Sequence, residues 1–139
     1  MKQPLFFIVV LFFLHVNLKA NEIHWFHNYD KAIKEAIIQN KKLFVLITSE
    51  TCRWCRQLEH NTLEDKSIVD RISKKYISVA LTRGKDSYPK ILKAKMVPMS
   101  YYLNNDGSII STVPGYWGVE DYHTVLNDVN YYLRKEDLK

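Results

Sequence analysis

The 139-residue chain predicts an α/β domain built on a central mixed sheet with helices on both faces. Three observations carry that expectation. Leu43-Phe-Val-Leu-Ile47 is five apolar residues in a row, bounded by Lys41-Lys42 and Thr48-Ser49. With no polar residue alternating inside it, the run reads as a strand buried on both faces. Helical and strand patterns then alternate along the chain, as parallel strands with crossover helices require. Near the C-terminal end Asn104-Asn-Asp-Gly107 supplies the positive φ of a tight antiparallel hairpin, so the sheet is mixed.

The elements follow in order. Residues 22–27 form a short opening segment, possible as a strand, and Asn28 or Asp30 caps a helix over residues 29–40. Ala32, Ile33, Ala36 and Ile37 have the 3–4 spacing of its inward face. After the strand at 43–47 a second helix starts at Cys52, carrying Trp54, Leu58 and Leu63. It breaks near residues 61–65 and resumes over 66–74 with Ile68, Val69 and Ile72 inward. A parallel strand is expected at 76–81, a loop at 82–87 and a short helix at 88–94. Val97-Pro98 precedes a strand at 99–103, the hairpin returns along 108–113, and Pro114-Gly115 ends it. The last helix spans 120–135 and buries Tyr122, Val125, Leu126, Val129 and Leu133.

Residues 1–20 stand apart from this pattern. Lys2 is followed by ten apolar residues, Leu5 to Leu14, and the segment ends at Ala20. A basic start, a short apolar core and a small residue predict a secretory signal peptide, because a membrane span needs about 20 apolar residues. Leu18 and Lys19 fit the small-x-small cleavage pattern poorly, so an uncleaved anchor is the alternative. Residues 21–139 then form one domain, expected in the periplasm or secreted, where disulfide chemistry is sustained. Without Lys2 and Lys19, 18 basic residues face 15 acids, a net charge of +3 that points to no nucleic-acid partner.

The chemistry concentrates at Cys52-Arg-Trp-Cys55, the only two cysteines in the sequence, so any disulfide within the monomer is theirs. At a strand-to-helix junction the first cysteine meets unpaired backbone N–H groups and the helix dipole, which favour its thiolate. The second lies one turn inside, within reach of the first.

In spacing and order residues 41–126 resemble the thioredoxin superfamily, and most of all secreted bacterial thioredoxin-related proteins and the periplasmic C-terminal domain of the transmembrane disulfide reductase. The resemblance rests on Trp25, the Ala32/Ala36 helix, Asn40-Lys41-Lys42, Thr51-Cys-Arg-Trp-Cys-Arg-Gln-Leu-Glu59, Thr62-Leu-Glu-Asp65, Val97-Pro98, Asp106-Gly107 and Gly115. It implies a thioredoxin fold in which Cys52 attacks and Cys55 resolves. It also implies that Pro98 is cis, facing the pair, and that Val97 offers its backbone to an extended substrate. Trp54 and Tyr116-Trp117 become candidate substrate contacts.

Three positions depart from thioredoxin itself. Thr51 stands where thioredoxin has tryptophan, Leu46 where it has a buried acid, and Arg53-Trp54 where it has Gly-Pro. Glu50 is the candidate replacement for the acid, and Arg53 is expected to favour the Cys52 thiolate and a more oxidising disulfide.

The expected function is exported thiol–disulfide exchange on envelope proteins through the dithiol, with a membrane redox partner as a second candidate contact. No metal or organic cofactor is implied. A non-catalytic binding or assembly module and a copper(I)-handling protein are the alternatives. A zinc site would need ligands beyond the pair, from His24, His27 or His60. Mass spectrometry of the exported form should find an N-terminus near Asn21; full-length precursor in soluble cytoplasm would contradict the signal peptide.

Overall fold

In the computed structural model, which describes residues 22–136 and 138, the chain runs β1 (Trp25–Phe26), α1 (Tyr29–Ile38), β2 (Lys42–Thr48) and α2 (Arg53–Gln57). A π-helical segment (Leu58–Thr62) follows, then α3 (Lys66–Lys75), β3 (Tyr76–Thr82), β4 (Met99–Leu103), β5 (Ile109–Pro114) and α4 (Val119–Glu136). The predicted signal peptide lies outside the described residues.

The apolar run 43–47 falls within β2, and its side chains alternate. Phe44 and Leu46 point to one face of the sheet, and Leu43, Val45 and Ile47 to the other. All five are at most 1% exposed. A strand sealed this way must be central, and the sheet order is β1-β3-β2-β4-β5. β3 pairs parallel with both β1 and β2, while β4 pairs antiparallel with β2 and β5 with β4. This is the mixed sheet of a thioredoxin fold.

Each face is covered by the helices whose apolar stripes match it. On one side Phe44 and Leu46 pack with Leu58, with Ile68, Val69 and Ile72 of α3, and with Tyr122, Leu126 and Val129 of α4. Across this layer the Tyr102 and Tyr122 hydroxyls share a 2.8 Å hydrogen bond, and burial pushes the Tyr122 phenol up to about 12, so both stay neutral. On the other side Leu43, Val45 and Ile47 meet Ala32 and Ala36 of α1. Helix starts are capped by side chains, at Asn28 as the sequence suggests and also at Asp65. Asn28 Oδ1 accepts the Lys31 N–H at 2.9 Å, and Asp65 Oδ1 accepts the Ser67 and Ile68 N–H groups. The Ser67 hydroxyl, donating to the same oxygen, does most to hold the Asp65 carboxyl below its ordinary value, and the two N–H bonds add to it.

Two expectations fail. Ile37 is 58% exposed instead of inward, because α1 meets the sheet through the small side chains Ala32 and Ala36, and Ile37 lies one residue further round the helix. No helix forms over 88–94. The segment folds as tight turns, with the Leu92 N–H bonded to the Pro89 carbonyl and the next three amides bonded only two residues back. A stretch that short cannot hold a helix without an apolar stripe to bury. Here Leu92 alone is fully buried, with Tyr88 and Ala94 packed partly against the core, while Ile91 is exposed.

A cavity of about 490 Å³ remains beside β2, where Trp25, Leu46 and Leu63 meet Glu59 of the π segment. Burial raises the Glu59 carboxyl above its ordinary value, against the opposing pull of Arg56 and His60. Arg56 Nε reaches Glu59 Oε2 at 3.0 Å. An acid whose value is raised by folding binds protons more tightly in the native state. Its contribution is therefore present below the ordinary carboxylate value of 4.5 and is lost as pH rises through the raised one.

Two measurements test this packing. Phe44→Ala should cost about 3–5 kcal/mol in urea unfolding, and Ile37→Ala under about 1 kcal/mol, since only the first opens the core. Glu59→Gln should remove part of the fall in stability between about pH 4 and pH 7, seen as a smaller shift of the urea midpoint than in wild type. An identical pH dependence in the two proteins would contradict the burial of that carboxyl.

Candidate redox site

β2 ends at Thr48, and three residues turn the chain into α2. Cys52 occupies the N-cap position with extended backbone, φ −94° and ψ 104°. Its Sγ takes the role that a serine or aspartate oxygen usually fills, accepting the Cys55 N–H at 3.1 Å. The two cysteines form a disulfide with Cα atoms 5.2 Å apart. They differ in access: Cys55 is fully buried, whereas Cys52 is half-buried. A sulfur arriving from solvent can therefore reach Cys52, and the donor beneath Cys52 is already aimed at the charge its thiolate would carry.

Beside the disulfide lies an apolar groove of about 350 Å³, lined by Trp54, Met96, Val97, Pro98, Gly115 and Tyr116. The Val97–Pro98 peptide bond is cis. The Gly115 N–H donates to the Pro98 carbonyl at 2.8 Å, which ties the two loops of the groove together. Gly115 has φ +82°, a conformation that side-chain-bearing residues rarely adopt. Trp54 stands 55% exposed, its ring 5.7 Å from that of Tyr116. The opposite end of the Tyr116 loop is held to the cysteine helix, since the Thr62 hydroxyl donates to the Trp117 carbonyl at 2.7 Å. Trp117 Nε1 in turn donates to the Pro114 carbonyl at 2.9 Å.

The structure thus gathers Cys52, Cys55, Trp54, Val97, Pro98 and Tyr116 at one end of the sheet. Two other candidates behave differently. Glu50 pairs with Lys85 at 3.3 Å, with both side chains about 70% exposed, so it is a surface carboxylate and not a buried substitute for an acid at position 46. Arg53 lies over the Trp54 ring, 5.9 Å from its centroid. Leu46 is buried as the strand pattern requires. Three glutamates, Glu22, Glu59 and Glu64, line the cavity beside Leu46, and of these Glu59 has its carboxyl raised by burial; in the sequence it stood only as part of a motif. Its spacing four residues beyond Cys55, on the same helical stretch, was the available signal. Among the described residues no group of three or more His, Cys, Asp or Glu side chains could hold a metal ion, and no helix is long and apolar enough to cross a membrane.

Comparison with known proteins bears on the fold and the family. The structure is similar to that of the oxidoreductase DsbH, with a TM-score of 0.65 and 14% identity, over 78% of this chain and 84% of that one. It is also similar to the oxidised C-terminal domain of Neisseria meningitidis DsbD, with a TM-score of 0.58 and 14% identity, over 80% and 98% of the respective chains. At these identities the likeness is one of fold. In sequence the chain is 23% identical over 130 residues to the Caenorhabditis elegans protein B0495.5, an alignment covering 84% of this chain. The chain spans 18% or less of the lengths of the curated relatives it matches. A model of the thioredoxin-like domain matches residues 29–130. That match runs from the first residue of α1 into α4 and takes in both cysteines and both walls of the groove, and the chain accordingly belongs to the thioredoxin-like domain family.

Proposed function

We propose that the protein is an exported thiol–disulfide oxidoreductase acting on thiols and disulfides of envelope proteins. The observation that carries this reading is the asymmetry of the pair: a reachable Cys52 whose sulfur already accepts a backbone N–H, joined to a buried Cys55, at the edge of an apolar groove. A disulfide serving only to brace the chain would gain little here, because the loop it closes is very short.

In the reducing direction the Cys52 thiolate attacks one sulfur of a client disulfide. A Cys52–client bond forms, the client S–S bond breaks, and the second client sulfur leaves as a thiolate. Cys55, deprotonated, then attacks Cys52 Sγ, closing the Cys52–Cys55 disulfide and releasing the first client sulfur. Two electrons pass to the client, and no cofactor enters. The oxidising direction is the reverse. In either direction the groove aligns the client, with Val97 offering backbone and Trp54 and Tyr116 offering aromatic surface.

The N–H at Cys52 favours the reduced form, and Leu46 leaves β2 without a carboxyl to take the Cys55 proton. Both features set this protein apart from a strongly reducing thioredoxin, at about −270 mV, and toward the oxidising side. Export rests on residues 1–20 and on the likeness to DsbH and the DsbD domain.

The reading is tested by alkylation and trapping. In reduced protein Cys52 should react with iodoacetamide well before Cys55, read by peptide mass spectrometry. Cys55→Ser should accumulate client adducts on non-reducing gels that vanish with reductant, and Cys52→Ser should show none. Faster alkylation of Cys55 would reverse the roles, and the absence of adducts in both variants would count against exchange altogether.

A further inference from the structure

Residues 83–96 carry Arg83, Lys85, Lys90, Lys93 and Lys95 against one carboxylate, Asp86, a surplus of four charges in a chain whose net charge is +5. All five cations are exposed. Asp86, the one acid among them, is turned to the backbone, its Oδ2 accepting the Thr82 N–H at 2.6 Å. Lys90, Lys93 and Lys95 have no side-chain hydrogen bond or ion pair among the described residues.

This segment is fastened to the redox site. The Arg83 N–H donates to the Thr48 carbonyl at the end of β2, at 2.8 Å. The Arg83 guanidinium donates to the carbonyls of Ala94 and Lys95, at 3.1 and 3.3 Å, which holds the two ends of the loop together. Lys85 pairs with Glu50, two residues before Cys52. The last residue, Met96, is part of the groove wall opposite Trp54 and Tyr116, and 48% of its surface is exposed. An apolar groove and a cationic rim are therefore joined beside one reactive sulfur.

We infer that the preferred client is an extended polypeptide segment with an apolar side chain next to its reacting cysteine and acidic residues a few positions away. The apolar side chain seats between Met96, Trp54 and Tyr116, where a charged one would lose its hydration without a partner. The carboxylates meet Lys90, Lys93 and Lys95, which raises the encounter rate in a salt-dependent way. This inference names the client class for the exchange proposed above and rests on it. A polypeptide fits the site better than a lipid surface because the reaction needs a sulfur delivered into the groove itself.

The experiment uses reduced full-length domain and peptides whose single cysteine is blocked as a mixed disulfide with thionitrobenzoate. The Cys52 thiolate attacks the peptide sulfur, a Cys52–peptide disulfide forms, and thionitrobenzoate leaves as a coloured thiolate. Four peptides combine leucine or serine beside the cysteine with three glutamates or three lysines further along. A neutral hydroxyethyl mixed disulfide is the reference. The leucine–glutamate peptide should react about tenfold faster than the serine–lysine one, with the charge part of that gap closing between about 50 and 500 mM salt. The triple variant K90E/K93E/K95E should reverse the preference between glutamate and lysine peptides, and Trp54→Ala should reduce the preference for leucine. Equal rates for all four peptides, with the hydroxyethyl compound still reacting, would overturn the inference and leave exchange intact. Salt-dependent binding to phosphatidylglycerol vesicles with equal peptide rates would overturn it in favour of a membrane surface. No release even from the hydroxyethyl compound would remove the exchange activity and this inference together.

Discussion

Burial of β2 on both faces is the constraint from which the rest of the molecule follows. Leu43, Val45 and Ile47 need α1 on one side, and Phe44 and Leu46 need the cysteine helix, α3 and α4 on the other. Filling both sides leaves one end of the strand at the boundary between core and solvent. The chain must turn there, and the turn delivers Cys52 to the surface at the head of a helix whose inward residues, Cys55 and Leu58, are buried. The difference in access between the two cysteines is thus a consequence of where the core ends.

The electrostatics of the site are local and modest. One backbone N–H points at Cys52 Sγ, one arginine leans on an exposed tryptophan, and the nearby Glu50–Lys85 pair is open to solvent. Exposed pairs of that kind contribute little. What the site adds to a bare dithiol is shape: an apolar wall from the Val97–Pro98 loop and another from the Gly115–Tyr116 loop, joined by the Gly115–Pro98 hydrogen bond. The Thr62–Trp117 bond couples the second wall to the helix that carries the cysteines. A client that fills the groove is therefore held relative to the sulfur it must meet.

Much of this was legible in the residues themselves. An unbroken apolar run announced β2, Asn28 announced the start of α1, and Asp106-Gly107 announced the hairpin, because each rests on chemistry within a few positions. The cysteine pair at a strand-to-helix junction was equally local. What escaped depends on contacts far apart in sequence. The turns over 88–94 follow from one anchor, Leu92, reaching a core built by other segments. Ile37 faces solvent because of how closely α1 approaches the sheet through two alanines. Glu59 becomes half-buried only because a π-helical turn follows α2, and no residue pattern marked that turn. The rim of lysines was visible in composition, but its attachment to the redox site required the Arg83 and Lys85 contacts.

The most direct test of the central claim is the equilibrium reduction potential of the Cys52–Cys55 couple, measured in glutathione or dithiothreitol redox buffers with thiol trapping. The expected result is one reversible two-electron transition above thioredoxin's value of about −270 mV, within the range that extends to about −120 mV for strong oxidants. A couple that resists reduction to below about −300 mV, as braces in secreted proteins do, would contradict the account.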